Sequence, residues 1–181
     1  GSPRSQISGL AAGRTVAGDE APLTTTSWAT AVGRLSRGHR SPVYRQMFLD
    51  GRYFLGAGDF RRAVLDMAAA CEQAKELLFR AVWERNSDDS YSRGRMISGY
   101  DLGEHLDNGL SRVGLSFREH DPEAHERICE LWDARNEVAH GGEAEFARGG
   151  QTQRVDGEVG VEFSAAVQTC LGWIEEQLHG R

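Results

Sequence analysis

Apolar residues recur along most of this chain at spacings of three and four, the period of a helix with one buried face. The cleanest run is Phe60, Val64, Met67, Cys71, Ala74, Leu78 and Val82, which predicts a long helix from Asp59 to about Arg85. Ahead of it, Ser41-Pro42 reads as a cap residue followed by proline at the first helical position. Val43, Met47 and Phe54 then share a face, and Gly56 and Gly58 close the segment. Asp101 can cap a helix bearing Leu102, Leu106, Leu110 and Val113. Asp121-Pro122 opens another, with Ile128, Leu131, Trp132, Val138 and Ala139 as its stripe and Gly141-Gly142 as its stop. Val155-Asp156-Gly157-Glu158 carries the Asp-Gly signal of a tight hairpin, and Val159, Val161 and Phe163 follow at strand period. A last helix is expected from Ser164, presenting Val167, Leu171, Ile174 and Leu178. The pattern predicts an all-α, up-and-down bundle of four to five helices with a small β-hairpin near 152–163.

Residues 1–26 show no sustained period and read as a cleavage scar plus a linker, or as the end of an upstream domain. A short helix from Ser27, with Trp28, Ala31, Val32 and Leu35 on one side, begins the helical domain at 27–181. Residues 86–99 read as a loop. With no initiating Met, the chain is expected to come from a longer protein.

The 181 residues, 39% of them hydrophobic, suffice for one core, and folding at this size buries roughly 70% of the unfolded surface. No disulfide or metal staple is then required. Three scattered cysteines, Cys71, Cys129 and Cys170, exclude a disulfide scaffold and a Cys-based zinc site, and they suggest a reducing cytoplasm. No apolar run is long enough for a membrane span. The net charge of −6 is uneven: residues 34–62 hold seven arginines against two aspartates, while residues 101–145 hold four arginines against twelve acids. Bulk charge therefore does not favour coating nucleic acid, although the arginine-rich stretch could hold a short strand.

One segment breaks the rules of a bundle. Helical rotation places Arg135 about 20° from Ile128, in the middle of the expected apolar stripe. An arginine keeps its proton at any relevant pH, so that position demands a carboxylate, carbonyls or an anionic ligand. Asn136 and His140 flank the same face, and Gly141-Gly142 leaves the imidazole uncovered. A permanent cation, an amide and a side chain that titrates near neutrality are parts for handling a phosphodiester.

The stretch Arg135-Asn136-Glu137-Val138-Ala139-His140 resembles the R-x4-6-H signature of the HEPN superfamily, with its polar residue after the arginine. Arg34 to His39 and Arg118 to His125 share the spacing, but the first reads as loop and the second crosses the Asp121-Pro122 boundary. The context is similar too. GDFRRAVLDMAAACEQAKELL looks like the first core helix of bacterial HEPN domains, and ICELWDARNEVAHGG like the helix that bears their motif. The resemblance covers roughly residues 42–179.

It implies a helical domain that dimerises, with the motif residues of two copies meeting in one composite site. It further implies a metal-independent endoribonuclease for single-stranded RNA, in a defence or toxin setting and without a cofactor. By that resemblance Arg135 would stabilise the phosphorane, His140 would transfer a proton or contact the phosphate, and Asn136 would orient them. Glu72, on the edge of the long helix, is placed to pair with Arg135. Gly142 stands where one toxin branch carries a tyrosine, so control through that tyrosine is not expected. The other reading is a non-catalytic HEPN module that dimerises or binds a nucleotide or RNA within a larger protein. A third is an unrelated helical domain in which Arg135 is structural.

The remaining side chains read plainly. His105, His120 and His125 lack metal-binding spacing and are expected in solvent. Trp83, Trp132 and Trp173 and the three cysteines are expected as core residues. Lys75, the one lysine, suggests no role.

Overall fold

The computed structural model describes residues 40–86, 102–111 and 113–179, together with positions 29, 32, 33 and 36. The chain divides into two units, Gly1–Arg40 and Ser41–Arg181. In the first, positions 29, 32, 33 and 36 are helical, and Val32 and Arg40 are exposed. The expected linker over 1–26, the rest of the helix from Ser27 and the expected loop after Asn86 lie outside the described residues.

The second unit is helical with one hairpin. Its helices are α1 (Val43–Gly56), α2 (Phe60–Asn86), α3 (Leu102–Glu104, continued by a π-helical turn over His105–Gly109), α4 (Phe117–His120), α5 (Pro122–Ala139) and α6 (Gly157–His179). Strands β1 (Glu145–Arg148) and β2 (Gln151–Arg154) lie between α5 and α6. Helix α2 packs against α1, α5 and α6, and α5 also packs against α6 and β1. The stripe expected of α2 is its buried face: Val64, Met67, Cys71, Ala74 and Leu78 have no exposure. With Leu106, Ile128, Leu131, Phe163, Val167 and Ile174 they form one continuous core.

Two expectations fail at α1. Pro42 itself is the residue before the helix, with ψ at 145°, so the helix begins one residue later than the Ser41 cap implied. Val43 faces out at 58% exposure, and the buried face is Tyr44, Phe48 and Gly51. The glycine stop holds, with Gly58 in the left-handed region at φ 78°.

The hairpin exists but sits earlier than expected. Its turn is Gly149-Gly150, both at positive φ (61° and 78°), and Phe146 pairs with Gln153 across it. Two consecutive left-handed residues are what a tight two-residue hairpin turn requires, and glycine adopts them without a Cβ clash. The Asp-Gly pair at 156–157 instead starts α6. Asp156 Oδ1 accepts hydrogen bonds from the Glu158 and Val159 amides, both 3.0 Å, as a helix cap. Val159, Val161 and Phe163 are therefore helical, and α6 begins seven residues before Ser164.

Candidate functional site

Helix α5 carries the site, and its two ends are fixed by local chemistry. At the start, Asp121 Oδ1 accepts from the Ala124 amide at 2.9 Å, and Pro122 occupies the first turn. At the end, the Gly141 amide donates to the Val138 carbonyl at 3.0 Å and the Gly142 amide to the Glu137 carbonyl at 2.9 Å. With Gly141 at φ 87°, this is a Schellman stop, and it leaves His140 as the last residue before the chain turns.

Burial along α5 narrows toward that end. Ile128, Leu131 and Ala134 have no exposure, whereas in the last turn only Val138 is buried. Ala139 is therefore exposed, contrary to the expected stripe, and the Arg135 side chain retains 33% exposure.

The Arg135 guanidinium lies over the Trp132 ring, 4.7 Å from its centroid. Arg135 Nη1 donates to Asn136 Oδ1 at 3.1 Å, and Nη2 stands 3.9 Å from Glu72 Oε2 on α2. The structure thus brings together Arg135, Asn136 and Glu72 and adds Trp132, which the sequence reading assigned to the core. Trp132 sits three residues before Arg135, the helical spacing of neighbours, and that spacing was the signal available. His140 is exposed, one turn beyond Asn136 on the same face. Among the described residues no side-chain hydrogen bond joins it to Arg135 or Asn136. A cleft of about 500 Å³ opens beside Asn136, lined by Asp133, Glu137, Glu145, Phe146 and Thr152.

A second polar cluster lies between α5, β1 and α6. Glu130 is 6% exposed and receives Arg127 Nη1 at 2.6 Å, Arg148 Nε at 2.9 Å and Arg148 Nη2 at 2.7 Å. Arg148 also donates to Glu162 at 2.8 Å. The hydrogen bonds to Glu130 lead the effects that push the Arg148 pKa above its usual range, against the opposing pull of burial. Arg127, Arg148 and Glu162 line a second cleft, of about 530 Å³.

Lys75, to which the sequence assigns no role, lies in the interior. It is 7% exposed, and its Nζ is 3.1 Å from Nδ1 of His105, which is itself buried at 4%. Burial pushes the Lys75 ammonium below its ordinary range, partly opposed by the charges of Glu76 and Glu72. His125 is buried as well, with Nε2 3.2 Å from the Gly103 carbonyl, so two of the three histidines expected in solvent are interior. Cys71 and Cys170 are buried as expected, but Cys129 is partly exposed. Trp173 is in the core.

Among the described residues no group of three or more His, Cys, Asp or Glu side chains is placed to hold a metal ion, and no helix is long and apolar enough to cross a membrane. Compared with protein-family models, curated proteins and solved structures, the chain gives no match.

Proposed function

We propose that the C-terminal end of α5 is an RNA phosphodiester site of HEPN type. In this reading the chain is a metal-independent endoribonuclease acting on single-stranded RNA as a homodimer in a defence or toxin setting. The observation that carries the reading is the state of Arg135. Its guanidinium is oriented by Trp132 and Asn136, but its carboxylate neighbour stands off at 3.9 Å and a third of the side chain faces solvent. The cation is positioned with only a distant, partly exposed carboxylate beside it, which suits a binding group for a developing phosphorane charge.

The chemistry would be in-line attack of a ribose 2′-hydroxyl on the adjacent phosphorus. The P–O5′ bond breaks, giving a 2′,3′-cyclic phosphate and a 5′-hydroxyl. Arg135 would stabilise the phosphorane, and His140 would move a proton at the attacking or leaving oxygen. In the homodimer that the resemblance implies, Arg135 and His140 of two copies would form one composite site. DNA, lacking the 2′-hydroxyl, should resist.

A second reading is a non-catalytic module that dimerises or binds a nucleotide or RNA within a larger protein, and the acidic cleft beside Asn136 favours its dimerising form, because Asp133, Glu137 and Glu145 repel phosphates. Cleavage of labelled single-stranded RNA in EDTA tests the choice, comparing wild type with folded Arg135→Ala and His140→Ala. Cleavage lost in both variants, with a cyclic-phosphate end, supports the nuclease. Wild-type binding without cleavage supports the module. Equal cleavage by all three proteins removes the site.

A further inference from the structure

Two of the three cysteines are sealed in the core, with no exposure at Cys71 or Cys170. Cys129 is partly exposed and lies on α5, 3.9 Å from Nδ1 of His125 one turn earlier. The other ring nitrogen fixes the roles. His125 Nε2 is 3.2 Å from the Gly103 carbonyl, and a carbonyl only accepts, so Nε2 carries the hydrogen. In the neutral ring Nδ1 is then bare and faces the Cys129 thiol as its acceptor. His125 is 4% exposed, and Phe117 packs against it with ring centroids 6.3 Å apart, which limits the ring's freedom to turn away. Nucleophile, base and a third group that orients the base therefore stand in order, the arrangement that activates a thiol.

We infer that Cys129 is a nucleophilic thiol activated by His125, and that it is a site of oxidation by peroxides and of alkylation by electrophiles. In the peroxide reaction the thiol proton passes to His125 Nδ1 and the sulfur attacks one peroxide oxygen. An S–O bond forms as the O–O bond breaks, and the departing hydroxide takes the imidazolium proton to leave as water. The thiol is oxidised to a sulfenic acid and the peroxide is reduced. By helical rotation Cys129 shares its face of α5 with Asn136 and His140, so the modified sulfur would lie on the flank that carries the motif.

The test measures iodoacetamide alkylation of each cysteine at pH 7 by peptide mass spectrometry, in the folded chain and in urea. An ordinary thiol is only a few per cent thiolate at that pH. Cys129 should react about tenfold faster folded than unfolded, whereas Cys71 and Cys170 should react more slowly folded. After brief peroxide treatment, dimedone should label Cys129 alone. His125→Gln retains an amide that can donate to the Gly103 carbonyl but cannot take the thiol proton, so it should abolish the enhancement. A Cys129 rate at or below its unfolded value overturns the inference without reference to any variant. So does an enhancement that survives in folded His125→Gln.

Discussion

Arg148 and Arg135 each meet a carboxylate beside α5, and the two meetings differ in what is left over. Arg148 grips Glu130 through two nitrogens at 2.9 and 2.7 Å and reaches Glu162 at 2.8 Å. The Glu130 side chain is 7% exposed and holds Arg127 as well. Arg135 stands 3.9 Å from Glu72, with both side chains about a third exposed. In the first cluster one carboxylate, Glu130, is buried and held by two arginines at hydrogen-bond distance, although Arg148 and Glu162 keep 25% and 39% side-chain exposure, so the cost of breaking it centres on Glu130. In the second, water still screens the pair, and the arginine's orientation comes from an indole face and an amide. One cluster fastens the hairpin to α5 and α6. The other orients a cation that is a third exposed at the end of α5.

The largest effect should come from breaking the first cluster. Glu130→Ala takes the buried acceptor from Arg127 and Arg148, leaving them the more exposed Glu162 and, for Arg127, Glu126, and unfolding in urea should show a loss of about 2–3 kcal/mol. A loss under about 1 kcal/mol would mean the cluster behaves as a surface pair, and the contrast between the regions would collapse. Arg148→Met should cost less, about 1–2 kcal/mol, because Arg127 still satisfies one oxygen of Glu130. Arg135→Ala should cost under about 1 kcal/mol of stability and, under the proposed nuclease function, lower RNA cleavage by at least about 100-fold, as removal of a single charge-stabilising donor does. Unfolding of Arg135→Ala would instead place Arg135 with Arg148 as a structural ion.

The two regions were not equally legible in the sequence. Arg135 stood out because a charge fell where helical rotation called for an apolar residue, and that argument needs only one helix. The same argument applies to Lys75, four residues after Cys71 and three before Leu78 on the buried stripe of α2, and would have flagged it. Glu130 gave no such sign. It lies about 200° from Ile128, on what reads as the solvent side of α5, and is buried because β1 and α6 close over it. Helical period reports one face of one element, and a second covered face belongs to tertiary packing. The hairpin slipped for a related reason: Asp-Gly serves both a tight turn and a helix start, and the Gly149-Gly150 pair competed for the turn with freer backbone.

Lys75 offers a case between the two regions, a buried cation whose nearer partner is an imidazole at 3.1 Å, with the Glu76 carboxylate farther off at 3.8 Å. Its folded pKa lies below the unfolded value, so the folded state gives up the proton first as pH rises. Between the two values the unfolded chain binds more protons, and stability must rise with pH across that window. Lys75→Met removes the group, so the variant's stability relative to wild type should fall as pH climbs toward the ordinary lysine range. A difference independent of pH in urea titrations would mean that Lys75 is as well solvated as Arg135.

The smallest effect is expected at Glu175, where α1 meets α6. Burial alone would raise its pKa, but hydrogen bonds from Arg45 and Tyr44, with the Arg45 charge, outweigh it and hold the carboxyl below the usual range. Tyr44 donates at 2.8 Å and Arg45 Nε at 2.8 Å, yet the Arg45 side chain is 54% exposed, so water screens much of the attraction. With the folded pKa depressed, the contribution is complete above the unfolded carboxyl value and disappears as pH falls through the folded one. Glu175→Gln should therefore cost under about 1 kcal/mol at pH 7, and the cost should shrink toward zero on acidification. Its geometry is as close as that of Arg148 and its exposure is nearer that of Arg135. A large, pH-dependent loss would show that contact geometry decides the worth of these pairs, and a small one that solvent access does.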